Sequence, residues 1–376
     1  MPHQRVGFLS SQNYLDRNAF SGTLYSMYRA LKARELQIVE LGKPHKPSLW
    51  HKLLGRLPKN NAPIKFGSQR FILEYTQFAY QVQKQLLKTP CDLIVAPVAS
   101  EELTFIQTNK PIIYFSDVTF NLYKQYYPLK LNQEEIEWKE RQEKIAIAQS
   151  TKLVYSSEWA ANSAIQDYQA DTAKIEIIPL GANLDEIPLV KTVLSPRKHS
   201  PCRLLFIGKN WQRKGGDIAF EALVSLLEMG VEAELVVIGT VPPVQHEKLT
   251  VIPYLNKNVP QQRQKLNEFF FTSLFFIFPT RADCSPIVIC EANAFGLPVL
   301  TTDVGGIPTI VKNGKNGYML SLSASGKDYA NLITQILSDQ SSYQQLVYDC
   351  RKEYDERLNW DKWGERMYQI ILDILN

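Results

Sequence analysis

Residues 278–298 read Phe278-Pro-Thr-Arg-Ala-Asp283-Cys-Ser285-Pro286-Ile287-Val-Ile-Cys-Glu291-Ala-Asn-Ala-Phe-Gly296-Leu-Pro298. The pattern marks a buried strand ending at Phe278, a polar loop, and a helix with chemically labelled ends. Ser285 can cap that helix and Pro286 suits its first turn. Gly296 suits the left-handed position past its last turn, and Pro298 stops continuation. Backbone amides at such a start have no partner inside the helix and can hold an anion. Asp283 lies just before the helix and Glu291 well inside it, so both acids can reach one ligand from different heights. A carboxylate accepts two hydroxyl hydrogen bonds at once, which fits a vicinal diol. The competing reading is a solvated helix with surface acids. That reading must explain why Glu291 sits among Ile289, Cys290, Ala292 and Ala294, where an unpaired charge is costly.

Outward from this stretch, short apolar runs alternate with helical segments, the pattern of parallel α/β layers. Candidate strands are 6–10, 37–41, 92–96, 112–115, 152–156 and 175–178, then 203–207, 234–238, 249–253, 274–278 and 299–301. Between 189 and 202 the alternation lapses, and Ser195-Pro-Arg-Lys-His-Ser-Pro201 reads as a linker. At the end, Trp363, Met367, Ile370, Ile371 and Ile374 form one apolar helical stripe that needs a partner. The expected organisation is a Rossmann-like domain over 1–188, a linker over 189–201, a second Rossmann-like domain over 202–356, and a terminal helix over 357–376 returning to the first domain. Two doubly wound α/β domains facing across a cleft bind nucleotides beyond the carboxyl ends of their strands.

A second segment, Phe206-Ile-Gly208-Lys209-Asn-Trp-Gln-Arg213-Lys214-Gly215-Gly216-Asp217, carries a strand end, a basic loop and a helix start. Lys209, Arg213 and Lys214 bring three positive charges there, and the glycine pair permits close backbone approach. Such a loop suits a diphosphate, although a solvated basic loop explains it equally well when it is taken alone. It has no Walker spacing, and Gly-x-Gly-x-x-Gly is absent from the chain. Ser21-Gly22-Thr23 opens the first long helix and offers another turn suited to a phosphate, while Asp303-Val-Gly305-Gly306 turns close to the proposed cleft.

Composition narrows the class. The 376 residues are 45% hydrophobic and 21% charged, ordinary globular usage. A net charge of +4 is too mild to announce a nucleic-acid partner. The longest nearly continuous apolar stretch, 269–278, falls far short of the roughly 20 residues that span a bilayer. No secretory signal is expected ahead of the first strand, and Cys91, Cys202, Cys284, Cys290 and Cys350 show no Cys-x-x-Cys spacing. The expectation is a cytoplasmic protein without a disulfide framework or structural zinc.

The acid-x(7)-Glu segment, the Lys-Gly loop, Gly305-Gly306, Asn316-Gly317, Ile178-Pro-Leu-Gly-Ala-Asn-Leu-Asp185 and Trp360-Asp-Lys-Trp363 together resemble the retaining glycosyltransferases of family four, also called group 1, which have the GT-B fold. The resemblance runs along nearly the whole chain. It implies a retaining, metal-independent hexosyltransferase that uses a nucleotide sugar, with UDP the family's commonest nucleotide, and a hydroxyl acceptor. Glu291 would hold the donor ribose, and Asp283 the hydroxyls of the transferred sugar. Lys209, Arg213 and Lys214 would line the diphosphate, joined by Gly22 and by backbone around Ser285, Pro286 and Ile287. Two positions depart from the family pattern. Asp283 replaces the usual Glu, and Lys209 replaces an Arg, so it cannot make a bidentate fork with phosphate. The family's N-domain histidine has no counterpart either, since His3, His45, His51, His199 and His246 all lie outside the corresponding strand end. Asp117, in Tyr114-Phe-Ser-Asp117-Val-Thr-Phe120, takes that place as the candidate catalytic base or, where the departing phosphate takes the acceptor proton, as an acceptor-positioning group, with a helix-cap or turn acid as the plainer alternative. With Asp283 and Lys214 it completes the expected catalytic set, and no metal site or other cofactor is expected.

From 41 to 73 there are seven Lys or Arg and no Asp or Glu, with Leu49, Trp50, Leu53, Leu54 and Leu57 in a helical stripe. This segment suits an anionic or lipid-linked acceptor or the peripheral touch of an anionic membrane, while a loop packed on its own domain is the plainer alternative. Other function classes stay open on the sequence: a sugar-nucleotide epimerase or phosphorylase of the same fold, or a catalytically idle protein that binds sugar nucleotide.

Overall fold

A computed structural model describes residues 4–17, 19–42 and 67–376. The chain divides into two compact units. The first comprises Met1–Ile178 with Gly364–Asn376, and the second Pro179–Trp363.

The first unit is built on a parallel sheet of β1 (Arg5–Leu9), β2 (Gln37–Leu41), β3 (Leu93–Pro97), β4 (Ile112–Ser116), β5 (Lys152–Tyr155) and β6 (Ile175–Ile177), in the order β2-β1-β3-β4-β5-β6. The second carries β7 (Cys202–Ile207), β8 (Ala233–Ile238), β9 (Leu249–Ile252), β10 (Phe275–Phe278), β11 (Val299–Thr302) and β12 (Gly317–Leu320), in the order β12-β11-β10-β7-β8-β9. Every pairing within both sheets is parallel. Strand composition follows position. Leu93-Ile-Val-Ala-Pro97 and Phe275-Phe-Ile-Phe278 are buried throughout, because helices cover both faces of a parallel sheet. The edge strands β2, β6, β9 and β12 mix in polar residues and are only partly covered.

In the second unit the chain runs outward from β7 through β8 to β9, then returns to place β10 on the other side of β7. The carboxyl ends of β7 and β10 therefore flank a topological switch point, where a crevice opens between two loops that turn opposite ways. In the first unit the corresponding switch lies between β1 and β3.

The stretch 189–201, read as a linker, packs inside the second unit. It holds a short helix, Val190–Val193. Arg197 donates from Nη1 to the Ser273 carbonyl at 3.0 Å and from Nη2 to the Phe295 carbonyl. The chain instead passes between units at Ile178 and Trp363. Beyond the first of these points, Gly181 lies so close to Trp360 that an added Cβ would stand 2.4 Å from its backbone nitrogen. The terminal helix Trp360–Leu375 buries Trp363, Met367, Ile370 and Ile371. Arg366 ties this helix to the first unit by pairing with Glu176 at 2.7 Å. Among the described residues no helix is long and apolar enough to cross a membrane.

One polar group is set deep in the first unit. Glu143, on the helix Gln133–Gln149, is buried and accepts the Tyr114 hydroxyl on both oxygens, at 3.1 and 3.2 Å. Burial pushes its carboxyl up from 4.5 to about 7. Between those values the folded chain keeps a proton that the unfolded chain has released, so stability falls as pH rises through that window. Glu143→Gln removes this contribution, of order 3 kcal/mol at most. Urea unfolding at pH 5 and pH 8 should therefore show a smaller loss on alkalinisation in the variant than in the parent. Equal losses in the two proteins would contradict the assignment.

Candidate functional site

Two loops meet at the switch point of the second unit, one after β7 and one after β10. Gly215 has a left-handed backbone, φ 74°, and an added Cβ would lie 1.9 Å from the Pro279 carbonyl oxygen. Gly216 lies against the buried Trp211 ring, whose nearest atom would be 2.1 Å from a Cβ there. Only glycine lets the first loop press this closely on the second while packing on its own indole.

Hydrogen bonds then lock the loops together. The Arg281 amide donates to the Arg213 carbonyl at 2.8 Å, and the Thr280 hydroxyl donates to the same oxygen at 3.1 Å. Arg213 returns its Nη1 to the Ala282 carbonyl at 2.7 Å. Arg281 makes a two-pronged bridge to Asp217, at 2.8 and 2.7 Å, which holds that carboxyl below the usual carboxylate range. Arg213, expected at a phosphate, thus directs its guanidinium into the loop-to-loop strap.

The strap delivers Lys214 to Asp283. Their ion pair is largely enclosed, with the two side chains 14% and 12% exposed. The ammonium also lies 4.8 Å from the centre of the Phe278 ring. Burial lowers the Lys214 pKa, the Asp283 carboxylate works against that shift, and Arg213 adds to it. A cation held this way has an incentive to take a second anion.

Glu291 is more deeply placed, its side chain 4% exposed in the helix Ile287–Ala294. Its charge partner is Lys257, whose Nζ stands 2.5 Å from Oε1. Lys257 follows β9 in the turn Asn256-Lys257-Asn258, where the Asn258 amide donates to Asn256 Oδ1 at 3.0 Å. Sequence reasoning missed this residue. The available signal was a lysine in a polar turn at the carboxyl end of a strand in the same sheet.

Other expected residues are distributed as follows. Lys209 is exposed on the β7 loop. Pro286, not Ser285, occupies the cap position, and no side chain caps the helix, which begins at Ile287. Pro286 has no N–H, so Ile287 is the first amide the helix itself offers. Gly305, with φ 56°, and Gly306 turn beside the acid, the Gly306 amide reaching the Asp283 carbonyl at 3.4 Å. In the first unit, Gly22 (φ 81°) precedes the helix Thr23–Lys32, following Phe20 and Ser21, which also have left-handed φ values of 47° and 55°. Asp117 is half-buried one residue past β4, and Thr119 caps the next helix. In the basic segment 41–73, residues 43–66 lie outside the described residues, as do the side chains of 67–73.

Residues 201–339, which contain both loops, match the family model described as "Glycosyl transferases group 1". The second unit is thus similar in sequence to the group 1 glycosyltransferases. It is 26% identical over 250 residues to a D-inositol 3-phosphate glycosyltransferase of Xylanimonas cellulosilytica, covering 61% of this chain and 58% of that protein. It is 25% identical over 185 residues to the spore coat protein SA of Bacillus subtilis, covering 46% of this chain and 49% of that one. The chain spans about half the length of the curated relatives it matches. Among solved structures, the sucrose-phosphate synthase of Thermosynechococcus elongatus is similar with a TM-score of 0.69 at 15% identity, covering 99% of each chain. HepE of Anabaena, solved with UDP and glucose, has a TM-score of 0.64 at 15% identity, covering 99% of this chain and 100% of that one. These likenesses show the GT-B fold.

The loop contact at Gly215 has a direct test. Gly215→Ala should lower unfolding stability by about 2 kcal/mol or more, because the left-handed φ and the Pro279 carbonyl both oppose a Cβ. A midpoint in urea equal to that of the parent would refute the interlock.

Proposed function

We propose that this chain is a retaining, metal-independent glycosyltransferase of group 1, moving a hexosyl group from a nucleotide sugar, with UDP as the expected nucleotide, to a hydroxyl acceptor. The observation that carries the reading is the pair of acids at one end of the second unit's sheet, each with its own lysine: Asp283 with Lys214 and Glu291 with Lys257. The complexes of HepE with UDP and with UDP-glucose, on the same fold, support a nucleotide sugar as the partner.

The proposed chemistry follows from the charges. The diphosphate takes up Lys214, with Lys209 from the exposed side of the same loop and the amide of Ile287 opposite. As the bond between the anomeric carbon and the diphosphate oxygen lengthens, negative charge grows on that oxygen. A desolvated ammonium stabilises that charge more in the transition state than in the ground state. Asp283 keeps Lys214 charged until the donor arrives, and also accepts hydroxyls of the transferred sugar. The deeper Glu291 accepts the ribose diol. The acceptor hydroxyl attacks from the face that the diphosphate leaves, and the departing phosphate oxygen takes its proton. The acceptor is expected to be a glycan, glycolipid or small molecule.

Incubation with radiolabelled UDP-glucose and a panel of hydroxyl acceptors in excess EDTA tests the proposal. The expected result is chelator-resistant transfer that keeps the α configuration by NMR. Glu291→Ala should lower that transfer at least about a hundredfold with an unchanged circular dichroism spectrum. Transfer abolished by EDTA would overturn metal independence, and unaltered turnover in Glu291→Ala would overturn the site.

A further inference from the structure

Lys257 is pinned at both ends. Its carbonyl accepts from Arg263 Nη1 at 3.1 Å, and the same nitrogen reaches Asp185 at 3.0 Å. The preceding Asn256 amide donates to Gln262 Oε1 at 2.6 Å, and the Asn256 carbonyl accepts from the Val259 amide at 3.0 Å. At its other end the ammonium holds Glu291 Oε1 at 2.5 Å. The helix that carries the acid is itself fixed in the core, with Ile289, Cys290, Ala292 and Ala294 each 0% exposed.

The energetics of the pair are lopsided. The Glu291 side chain is 4% exposed and the Lys257 side chain 47%, so burying the carboxylate costs several kcal/mol while a half-exposed lysine recovers only part of it. An apolar residue at 291 would pack more cheaply in this helix. What the pair provides is geometry. A carboxylate has about four lone-pair sites, and an ammonium on Oε1 leaves Oε2 to accept from neighbouring hydroxyls in a fixed orientation.

We infer that Lys257 is a positioning residue, which fixes the Glu291 carboxylate for a vicinal diol and so sets a preference for ribose over 2′-deoxyribose in the bound nucleotide. This rests on the reading of the second unit as a nucleotide-sugar site. Lys257 acts through Glu291, and its removal frees the carboxylate to rotate and weakens the 2′-hydroxyl contact more than the rest of the nucleotide.

Calorimetric titration of the full chain with UDP and 2′-deoxy-UDP, and with the corresponding GDP and ADP pairs, tests the inference. The parent should prefer the ribose form by about ten- to a hundredfold, the range of one hydrogen bond to a charged group. In Lys257→Met, and in Lys257→Gln as a second variant, that ratio should fall to within about threefold, and Lys257→Arg should restore most of it. A ratio kept at the parent's value in both Met and Gln variants would overturn the positioning role. Equal weakening of ribose and deoxyribose forms would do the same, because it would make Lys257 a general charge. If the parent binds both forms equally, or binds none of these nucleotides, the ribose assignment of Glu291 fails first and the inference with it.

Discussion

A carboxylate set in an apolar helix needs a cation within reach, and much of the second unit's upper face is arranged around that need. Glu291 has Lys257 from the turn after β9, and Asp283 has Lys214 from the loop after β7. The acids come from one segment after β10, and their cations from two other strand ends in the same sheet. Three loops are thereby tied to a common place. Burial makes each acid costly alone and disfavours the Lys214 charge, and a polyanionic ligand with a diol relieves both conditions.

Backbone architecture makes the arrangement possible. The chain order within the second sheet puts β7 beside β10, so that the loops after them start side by side at the switch point. Gly215 then allows contact with the Pro279 carbonyl that no side chain would permit. Arg213 and Arg281 strap the two loops across that contact. The site is thus held by interactions that would exist without a ligand, as preorganised electrostatic catalysis requires.

Much of this was legible along the chain. Apolar runs such as Phe275–Phe278 announce strands buried on both faces, and Gly296 with Pro298 marks the end of the helix that carries Glu291. What was not legible depended mostly on partners distant in sequence. Residues 189–201 look like a linker because prolines and basic residues carry no apolar period. Arg197 is fixed by carbonyls at Ser273 and Phe295, which no local pattern reveals. Arg213, expected at a diphosphate, also reaches the Ala282 carbonyl of the neighbouring loop, a tie that no local pattern reveals. Lys257 stands 34 residues before Glu291 and meets it only because β9 and β10 belong to one sheet. The helix starts at Ile287, with Pro286 at the cap, one residue later than expected, the usual uncertainty of a helix end.

The central claim is that the paired acids and their lysines form one nucleotide-sugar site. The most direct measurement is a crystal structure of the chain with UDP-glucose bound. The account predicts diphosphate oxygens within hydrogen-bonding distance of Lys214 Nζ, ribose hydroxyls on Glu291, and Lys257 still seated on Oε1. A nucleotide bound with its diphosphate away from Lys214 and its ribose turned from Glu291 would contradict it.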